Sequence, residues 1–328
     1  MTLILDKHDI ESILSMKETI KIIEEAFKQF ALKNVVMPLR ICVNIKQYNG
    51  SLLSMPAYIG GSMDSLGLKV VTVYKQNPIK YGLPTILATI QLHDSKTGKL
   101  LALMDGTYIT AMRTGAVVGV ATKYLANKDS KTLGVFGAGT QGKYCILAVK
   151  EVRNIELIKV YDLIPSQMKI FCEEIYKKTG IKAIPVNNPK ETVYESDIII
   201  TATTSKNPVF NGELLEKGVH INAIGAHTPD TRELDEITIK KSKIIVDSKE
   251  ATLNEAGDLI IPIKKGLISS KAIYAELGEV ITGKKPGRES KDEITVFKSV
   301  GLAIQDISTA KLVYEKAIKE NIGKTIEI

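Results

Sequence analysis

The stretch Thr132-Leu-Gly-Val-Phe-Gly-Ala-Gly-Thr-Gln-Gly142 decides the fold class of this 328-residue chain. A short apolar run, Thr132–Phe136, leads into three glycines spaced G-x-G-x-x-G, and helical spacing follows over Gln141–Val152. In such a strand–turn–helix the glycines permit the tight turn, the approach of a pyrophosphate to the backbone, and close packing of helix on strand. We therefore predict a dinucleotide-binding turn, whose residues are Gly137, Ala138, Gly139, Thr140, Gln141 and Gly142.

An acidic residue, Asp162, follows the next strand-like run, Leu157–Tyr161, twenty residues after Gly142. A carboxylate at this place binds the ribose hydroxyls of NAD and repels the 2′-phosphate of NADP. Since no arginine follows Asp162 closely, NAD(H) is favoured over NADP(H). A glycine turn without a ligand is the alternative, but it leaves the combination of strand, helix and acid unexplained.

Beyond this turn, short β-rich runs alternate with helical ones such as Gly212–Lys217, which predicts a doubly wound parallel sheet. Residues 1–115 instead predict a helix pair and a largely antiparallel sheet, with a helix from Ala116. The amphipathic segment Ser299–Glu320 is expected to be a long helix that packs back on that first part. The predicted fold class is α/β, with a Rossmann domain over residues 116–304. An α+β substrate-binding and dimerisation domain is expected over residues 1–115 and 305–328.

The composition excludes several classes of protein. The 44 basic and 37 acidic residues give a net charge of +7, but the excess is spread out and Trp is absent, so we predict no nucleic-acid partner. No apolar run approaches the roughly 18 residues that span a bilayer, and acidic residues interrupt the amino terminus, so neither a membrane span nor a signal peptide is expected. Three separated cysteines fit reduced thiols in a cytoplasmic protein, and no Cys/His cluster suggests a metal.

Small and hydroxyl-bearing residues lie at the end of the strand-like run 197–202 and just after it, namely Thr201, Ala202 and Thr203. The nicotinamide half of a dinucleotide lies at the carboxyl ends of parallel strands, so we predict that these residues contact the cofactor. A β-turn whose hydroxyls cap a helix is the alternative.

Three cations are candidate substrate ligands, since small oxidoreductase substrates are mostly acids. Arg40 opens a strand, Lys69 lies inside the apolar strand Gly67–Tyr74, and Arg113 lies among small residues between the stretches assigned to the two domains. A basic residue in an apolar strand is costly to bury unless an anion pairs with it. An internal ion pair or a solvated position is the alternative for each cation.

A histidine, His227, follows the strand-like run His220–Ile224 and can relay a proton near neutral pH. A neutral histidine that only makes hydrogen bonds explains the position equally well, so both interpretations stay open.

Blocks of sequence spread over nearly the whole chain extend this picture: Gly67–Lys69, Thr110–Ala116, the glycine turn, His220–Gly225, Glu276–Val280 and Ile294–Asp306. With these blocks in this order, the sequence resembles the ornithine cyclodeaminase/mu-crystallin family. The resemblance implies a homodimer formed through the sheet of the first domain, with an NAD(P)-binding Rossmann domain in each subunit. It also implies that Arg40, Lys69 and Arg113 bind the substrate carboxylate, and that the nicotinamide pocket includes Ser299, Val300 and Gly301.

One position departs from the cyclodeaminases of that family, which carry a catalytic aspartate where this chain has His227. The following Pro-Asp-x-Arg-Glu-Leu run, 229–234, is more similar to the ketimine-reductase branch. Loss of a carboxylate that pairs with the substrate ammonium should weaken ornithine binding by ~1–3 kcal/mol. Asp230 can replace that carboxylate if the loop is reshaped. The catalytic candidates are therefore Lys69, His227 and Asp230.

The resemblance implies an NAD(H)-dependent oxidoreductase that acts on the C–N bond of a small 2-imino acid or L-amino acid. A Δ1-pyrroline-2-carboxylate-type reductase is the first form of this hypothesis, and an L-alanine dehydrogenase is the second. One alternative is an ornithine cyclodeaminase, which forms proline and ammonia while NAD+ is recycled. An alternative of another class is a non-catalytic, crystallin-like protein that binds NAD(P)H or a small ligand.

Overall fold

The computed structural model describes residues 1–327, which divide into two compact units. Unit 1 comprises residues 1–113 and 302–327, and unit 2 comprises Thr114–Gly301. The chain therefore leaves unit 1 once and returns to it.

Long strands are concentrated in the first part of the chain, and short strands alternate with helices after residue 125. Up to that residue the elements are β1 (Thr2–Leu5), α1 (Lys7–Ile13), α2 (Met16–Ala31), β2 (Val35–Val36), β3 (Ile41–Ile45), β4 (Gly50–Ile59), β5 (Ser65–Tyr74), α3 (Asn77–Lys80), β6 (Ile86–His93), β7 (Leu100–Asp105) and α4 (Gly106–Leu125). From there to residue 301 they are β8 (Thr132–Phe136), α5 (Thr140–Val152), β9 (Leu157–Tyr161), α6 (Pro165–Thr179), β10 (Lys182–Pro185), α7 (Pro189–Val193), β11 (Ile198–Thr201), β12 (His220–Ala223), α8 (Glu236–Lys241), β13 (Lys243–Val246), α9 (Lys249–Glu255), α10 (Gly257–Lys264), β14 (Ile273–Glu276), α11 (Leu277–Ile281) and β15 (Thr295–Lys298). The last elements are α12 (Ala303–Glu320) and β16 (Lys324–Ile326).

The sheet of unit 1 has the strand order β16-β1-β7-β6-β5-β4, and both β2 and β3 pair with the outer side of β4. All neighbours are antiparallel except β1 and β7. Side chains of β5 alternate in burial, as the period of two in a strand requires. The final helix, α12, packs on α2 and on strands β4, β5 and β6. The predicted helix pair and largely antiparallel sheet are thus present.

The sheet of unit 2 consists of eight parallel strands in the order β10-β9-β8-β11-β12-β15-β13-β14. Its central strands are buried on both faces, as the four buried residues of β11 illustrate. Strand order reverses between β8 and β11, and ligands of such sheets bind outside the carboxyl ends of the strands at that switch point. This topology confirms the predicted α/β class with a doubly wound Rossmann sheet.

Three elements differ most from the predictions, in their first residue or in their type. Helix α4 begins at Gly106 rather than Ala116, because the carboxylate of Asp105 accepts the N–H of Tyr108 and starts the helix early. Residues Gly212–Leu214 form a single 3-10 turn in place of a helix. Helix α12 begins at Ala303, because the backbone N–H groups of residues 300 and 301 are bound by Asp247 and residue 301 has a φ of 83°.

Candidate functional site

A buried lysine lies in the middle of the unit 1 sheet. Lys69 is on β5, in register with Met55 of β4 and Ile90 of β6, and 1% of its side chain is exposed. Its ammonium nitrogen lies 2.6 Å from Oδ2 of Asp306, in the first turn of α12. The positive end of the helix dipole also favours a carboxylate there. The lysine that the sequence placed in an apolar strand is thus buried with a counter-charge.

Asp306 holds a second cation as well. Its Oδ1 accepts a hydrogen bond of 2.9 Å from Arg113 Nε. Arg113 Nη1 donates to the side-chain oxygen of Gln305 at 2.5 Å, so two bonds fix the plane of the guanidinium. The amide nitrogen of Gln305 is buried and has no hydrogen-bond partner among residues 1–327. A buried donor of this kind is normally satisfied by water or by an acceptor on a ligand.

The cation cluster is defined as Arg40, Lys69, Arg113 and Asp306, and in it the two buried cations Lys69 and Arg113 share the single carboxylate of Asp306. Arg40 is half-buried ahead of β3, and its charge acts on Lys69. Burial lowers the pKa of Lys69 to about 7; Asp306 opposes this shift, whereas the two arginines add to it. Because one carboxylate faces two buried cations, the pair Lys69 and Arg113 favours an incoming anion. It can bind a carboxylate while Lys69 exchanges a proton near neutral pH.

Asp306 and Gln305 were not among the predicted site residues, although the sequence contains a signal for Asp306. Buried positions of α12 recur at helical spacing, at Ala303, Asp306, Ile307 and Ala310. A carboxylate on an otherwise apolar stripe is almost never buried unless it is paired. The stripe therefore indicates a buried cation opposite position 306, although it does not show which one.

In unit 2 the glycine turn joins β8 to α5 at the switch point of the sheet. Gly137 has a φ of 102°, and a Cβ on it would lie 2.6 Å from the carbonyl oxygen of Ala202. A Cβ on Gly142 would lie 2.4 Å from the carbonyl oxygen of Gly137, whereas one on Gly139 would meet no atom within 4 Å. Gly139 is the N-cap of α5, and no side chain caps that helix. The turn is therefore tightly packed against backbone at Gly137 and Gly142. It leaves space at Gly139, where a phosphate approaches a helix N-terminus.

Other predicted cofactor residues surround this turn. Thr140 and Gln141 begin α5, and the side-chain oxygen of Gln141 is buried without a hydrogen-bond partner in the described part of the chain. Asp162 Oδ2 accepts the N–H of Ala138 at 2.8 Å, and its Oδ1 accepts that of Ile164 at 3.1 Å. The carboxylate is thus fixed against the turn at the end of β9, where the ribose of a dinucleotide lies in this fold. These residues fit a bound NAD.

Thr201 is the last residue of β11, and the loop that follows it carries Ala202 and Thr203. Both threonine hydroxyls donate to Glu233, at 2.9 Å and 2.8 Å, and Ala202 donates its N–H to the carbonyl oxygen of Phe136. The hydrogens of both hydroxyls are therefore used within unit 2, so neither hydroxyl can donate to a cofactor. Glu233, which the sequence did not single out, anchors the loop.

The loop after β15 carries Ser299, Val300 and Gly301. The Ser299 hydroxyl and the N–H groups of Val300 and Gly301 all donate to Asp247 Oδ2, at 2.8, 2.8 and 2.9 Å. A second buried carboxylate that the sequence did not single out thus fixes a loop at the carboxyl edge of the sheet.

His227 and Asp230 lie in the loop after β12. Nδ1 of His227 is 2.9 Å from the carbonyl oxygen of Gly225, a contact that favours the tautomer with hydrogen on Nδ1. In that tautomer, Nε2 is the basic nitrogen. Asp230 is exposed and accepts the hydroxyl of Thr228 at 2.7 Å. Of the two, the half-buried imidazole is the better candidate for proton transfer.

The remainder of residues 1–327 adds no membrane span and no metal centre. None of their helices combines the length and apolar character that a membrane span needs. Among the same residues, no three or more His, Cys, Asp or Glu side chains are grouped so that they could hold a metal ion. Cys42, Cys145 and Cys172 are free thiols. The candidate functional groups are the cation cluster of unit 1 and the turn and loops of unit 2.

Known proteins resemble this chain over its full length. The model of the ornithine cyclodeaminase/mu-crystallin family matches residues 1–321. Δ1-Pyrroline-2-carboxylate reductase of Bacillus cereus is 42% identical over 326 residues, 99% of each chain. The structure of Thermococcus litoralis Δ1-pyrroline-2-carboxylate reductase with NADH and L-proline is 50% identical, covers 99% of this chain and 100% of that chain, and has a TM-score of 0.97. An archaeal alanine dehydrogenase dimer with bound NAD is 42% identical, covers 100% of this chain and 99% of that chain, and has a TM-score of 0.94. The chain belongs to the ornithine cyclodeaminase/mu-crystallin family.

Proposed function

We propose that this protein is an NAD(H)-dependent oxidoreductase that acts on the C–N bond of a small 2-imino acid and the matching L-amino acid. The observation that carries the proposal is the buried excess of positive charge around Lys69 and Arg113. It is supported by the open glycine turn of unit 2 and by similarity to a reductase with bound NADH and L-proline.

Each part of the reaction has candidate residues. Arg40, Lys69 and Arg113 bind the substrate carboxylate, and the amide nitrogen of Gln305, which has no partner among the described residues, donates a further hydrogen bond. The glycine turn and Asp162 hold the pyrophosphate and ribose of the dinucleotide. When bound, the reduced nicotinamide supplies a hydride to the imine carbon. The electron pair of the C=N bond then passes to nitrogen, which takes a proton from a group of this chain.

Lys69 is our first candidate for the proton donor. Its pKa of about 7 lets both the ammonium and the amine exist near neutral pH, as reversible proton transfer requires. His227 is the second candidate, because its Nδ1 contact with Gly225 makes Nε2 the nitrogen that gains or loses the proton.

The substrate is best identified by following NADH absorbance with three mixtures in parallel. Oxidation of NADH by Δ1-pyrroline-2-carboxylate supports the reductase, and oxidation by pyruvate with ammonia supports an alanine dehydrogenase. Formation of proline and ammonia from ornithine without net change in NADH supports cyclodeamination. Tight binding of NADH with no turnover in any mixture overturns the proposal and favours a binding protein.

Asp162 is proposed to select NAD(H) over NADP(H). We expect Asp162→Ser to lower the ratio of kcat/KM for NADH to that for NADPH about 10-fold or more. The variant loses a hydrogen bond to the ribose and also the charge that repels a 2′-phosphate. Steady-state kinetics with both cofactors give the ratio, and Asp129→Ser, at an exposed ion pair of unit 2, is the matched control. An unchanged ratio would exclude Asp162 from cofactor selection.

We also propose a homodimer formed through the unit 1 sheet. Ile41 and Val43 lie on one face of β3 and are 66% and 53% exposed. In the described sheet β3 pairs only with β4, so its other edge is open. An open, apolar edge strand is normally covered by a partner. The related archaeal alanine dehydrogenase is a dimer.

The double substitution Ile41→Lys, Val43→Lys is expected to convert the dimer to a monomer, because association would bury two ammonium groups without counter-charges. Light scattering coupled to size exclusion measures the mass of each form. Ile170→Lys, which changes an equally exposed residue (68%) on α6, should leave the mass unchanged. A monomeric wild-type protein, or a dimeric double variant, contradicts this interface.

A further inference from the structure

A single buried carboxylate joins two loops at the carboxyl edge of the unit 2 sheet. Oε1 of Glu233 accepts the N–H of Thr203 at 2.6 Å and its hydroxyl at 2.8 Å. Oε2 accepts the hydroxyl of Thr201 at 2.9 Å and the N–H groups of Gly225 and Ala226 at 2.7 and 3.2 Å. Five donors therefore converge on one side chain. Its two oxygens bind the end of β11 with the loop after it, and the loop after β12.

The hydrogen-bond pattern requires the ionised form of Glu233. Each of its oxygens accepts at least one backbone N–H, and a protonated oxygen is a poor acceptor. The pKa of Glu233 is raised, first by burial and also by the negative charge of Asp258, while the positive charge of Lys298 and the bonds from Thr203 oppose that shift. The carboxylate is thus retained in the interior by its donors and by a buried cation.

The backbone of Glu233 is fixed from the other side. Asp258 Oδ1 accepts the N–H groups of Glu233 and Leu234 at 2.6 and 2.8 Å. Its Oδ2 lies 2.8 Å from the ammonium of Lys298, the last residue of β15. Glu233 therefore has little freedom to move away from the loops that it holds.

The two loops also lie very close together. A Cβ on Gly225 would be 2.2 Å from the carbonyl oxygen of Thr203 and 2.5 Å from its nitrogen. Only hydrogen at position 225 permits this approach, so the spacing between the loops depends on backbone contact and on the carboxylate between them. These loops follow the strands beside the switch point, the edge at which the nicotinamide half of a dinucleotide binds.

We propose that Glu233 is a positioning residue for the nicotinamide half of the cofactor. It binds no cofactor atom itself; it fixes the loops after β11 and β12 at the spacing that receives the ring. The inference rests on the proposed function, because it presupposes a bound dinucleotide.

Glu233→Gln tests this role with minimal change in shape. The substitution replaces one carboxylate oxygen by an NH2 group. Whichever oxygen is replaced, at least one backbone N–H then faces a donor instead of an acceptor. Titration calorimetry with NADH and with ADP-ribose, which lacks nicotinamide, separates the two halves of the site. We expect the Kd for NADH to rise about 10-fold or more and that for ADP-ribose to stay within about twofold. Glu236→Gln, on the adjacent helix α8, should leave both values within about twofold of wild type.

Several results would overturn the role of Glu233. An unchanged Kd for NADH in Glu233→Gln excludes it, and an equal loss of affinity for both ligands shows that Glu233 only supports the fold. If Glu233→Gln does not fold, Thr201→Val removes one of the five donors at constant shape. That variant should weaken NADH binding about twofold or more while leaving ADP-ribose unchanged; equal NADH affinity contradicts the proposal. A wild-type protein that binds neither ligand overturns the proposed function itself.

Discussion

Alanine in place of Arg113 is expected to lower kcat/KM for the 2-imino acid about 100-fold or more, with little change in the Kd for NADH. The guanidinium is held in its plane by Asp306 and Gln305, so its fork is set for a carboxylate before substrate arrives. Removing it takes away both a charge and this prepared geometry. Steady-state kinetics and NADH titration measure the two quantities separately.

Two further variants define what Arg113 contributes. Arg113→Lys keeps the charge without the planar fork and should recover only part of the activity. Lys316→Ala removes an ion pair with Glu18 elsewhere in unit 1 and should leave kcat/KM within about twofold. If Arg113→Ala keeps more than a tenth of the wild-type kcat/KM, Arg113 is not a substrate ligand.

Asp306→Asn is expected to lower the free energy of unfolding by about 3 kcal/mol or more, because it leaves two buried cations without their counter-charge. Urea titration measures this change. Glu18→Gln breaks the more exposed pair with Lys316 and should cost no more than about 1 kcal/mol. A loss as small as that of the control would show that solvent or a shifted side chain replaces the carboxylate.

The same variant should change the pH dependence of imine reduction. The negative charge of Asp306 raises the pKa of Lys69, so its removal lowers that pKa further below about 7. If protonated Lys69 is the acid, wild-type reduction falls as pH rises through about 7, and the fall moves to lower pH in Asp306→Asn. Amino acid oxidation, which needs the neutral amine, should gain activity over the same interval. If the pH profile of imine reduction shifts when His227 is substituted and not in Asp306→Asn, the imidazole is the proton donor.

The parts of this fold that were predictable from sequence are those with local signals. The glycine turn depends on residues two to five apart, each with its own steric reason, and Asp162 comes at a fixed distance, just after the next strand. The alternation of strands and helices likewise reflects local periodicity. Strand β15 went unpredicted because its four residues are all buried and show no alternation, and β14 because four residues are too few to establish a period.

The buried carboxylates were missed because their partners are remote in sequence. Arg113 and Asp306 are 193 residues apart, and Thr201 and Glu233 are 32 apart. Nothing in the local sequence specifies such pairs; they form only when separate elements pack. The hydroxyls of Thr201 and Thr203 show the same limit, since residue type predicted a ligand contact and the structure turns both groups toward Glu233.

The return of the chain to unit 1 at residue 302 has a consequence for biosynthesis. All strands of the parallel sheet are synthesised before α12, so the sheet of unit 2 is complete in the chain before unit 1 has its last helix. Unit 1 has to wait for α12, the element that brings Asp306 to Lys69 and Arg113. Although its amino-terminal strands are synthesised first, unit 1 therefore acquires the counter-charge of Lys69 and Arg113 only after the whole parallel sheet of unit 2 has been synthesised.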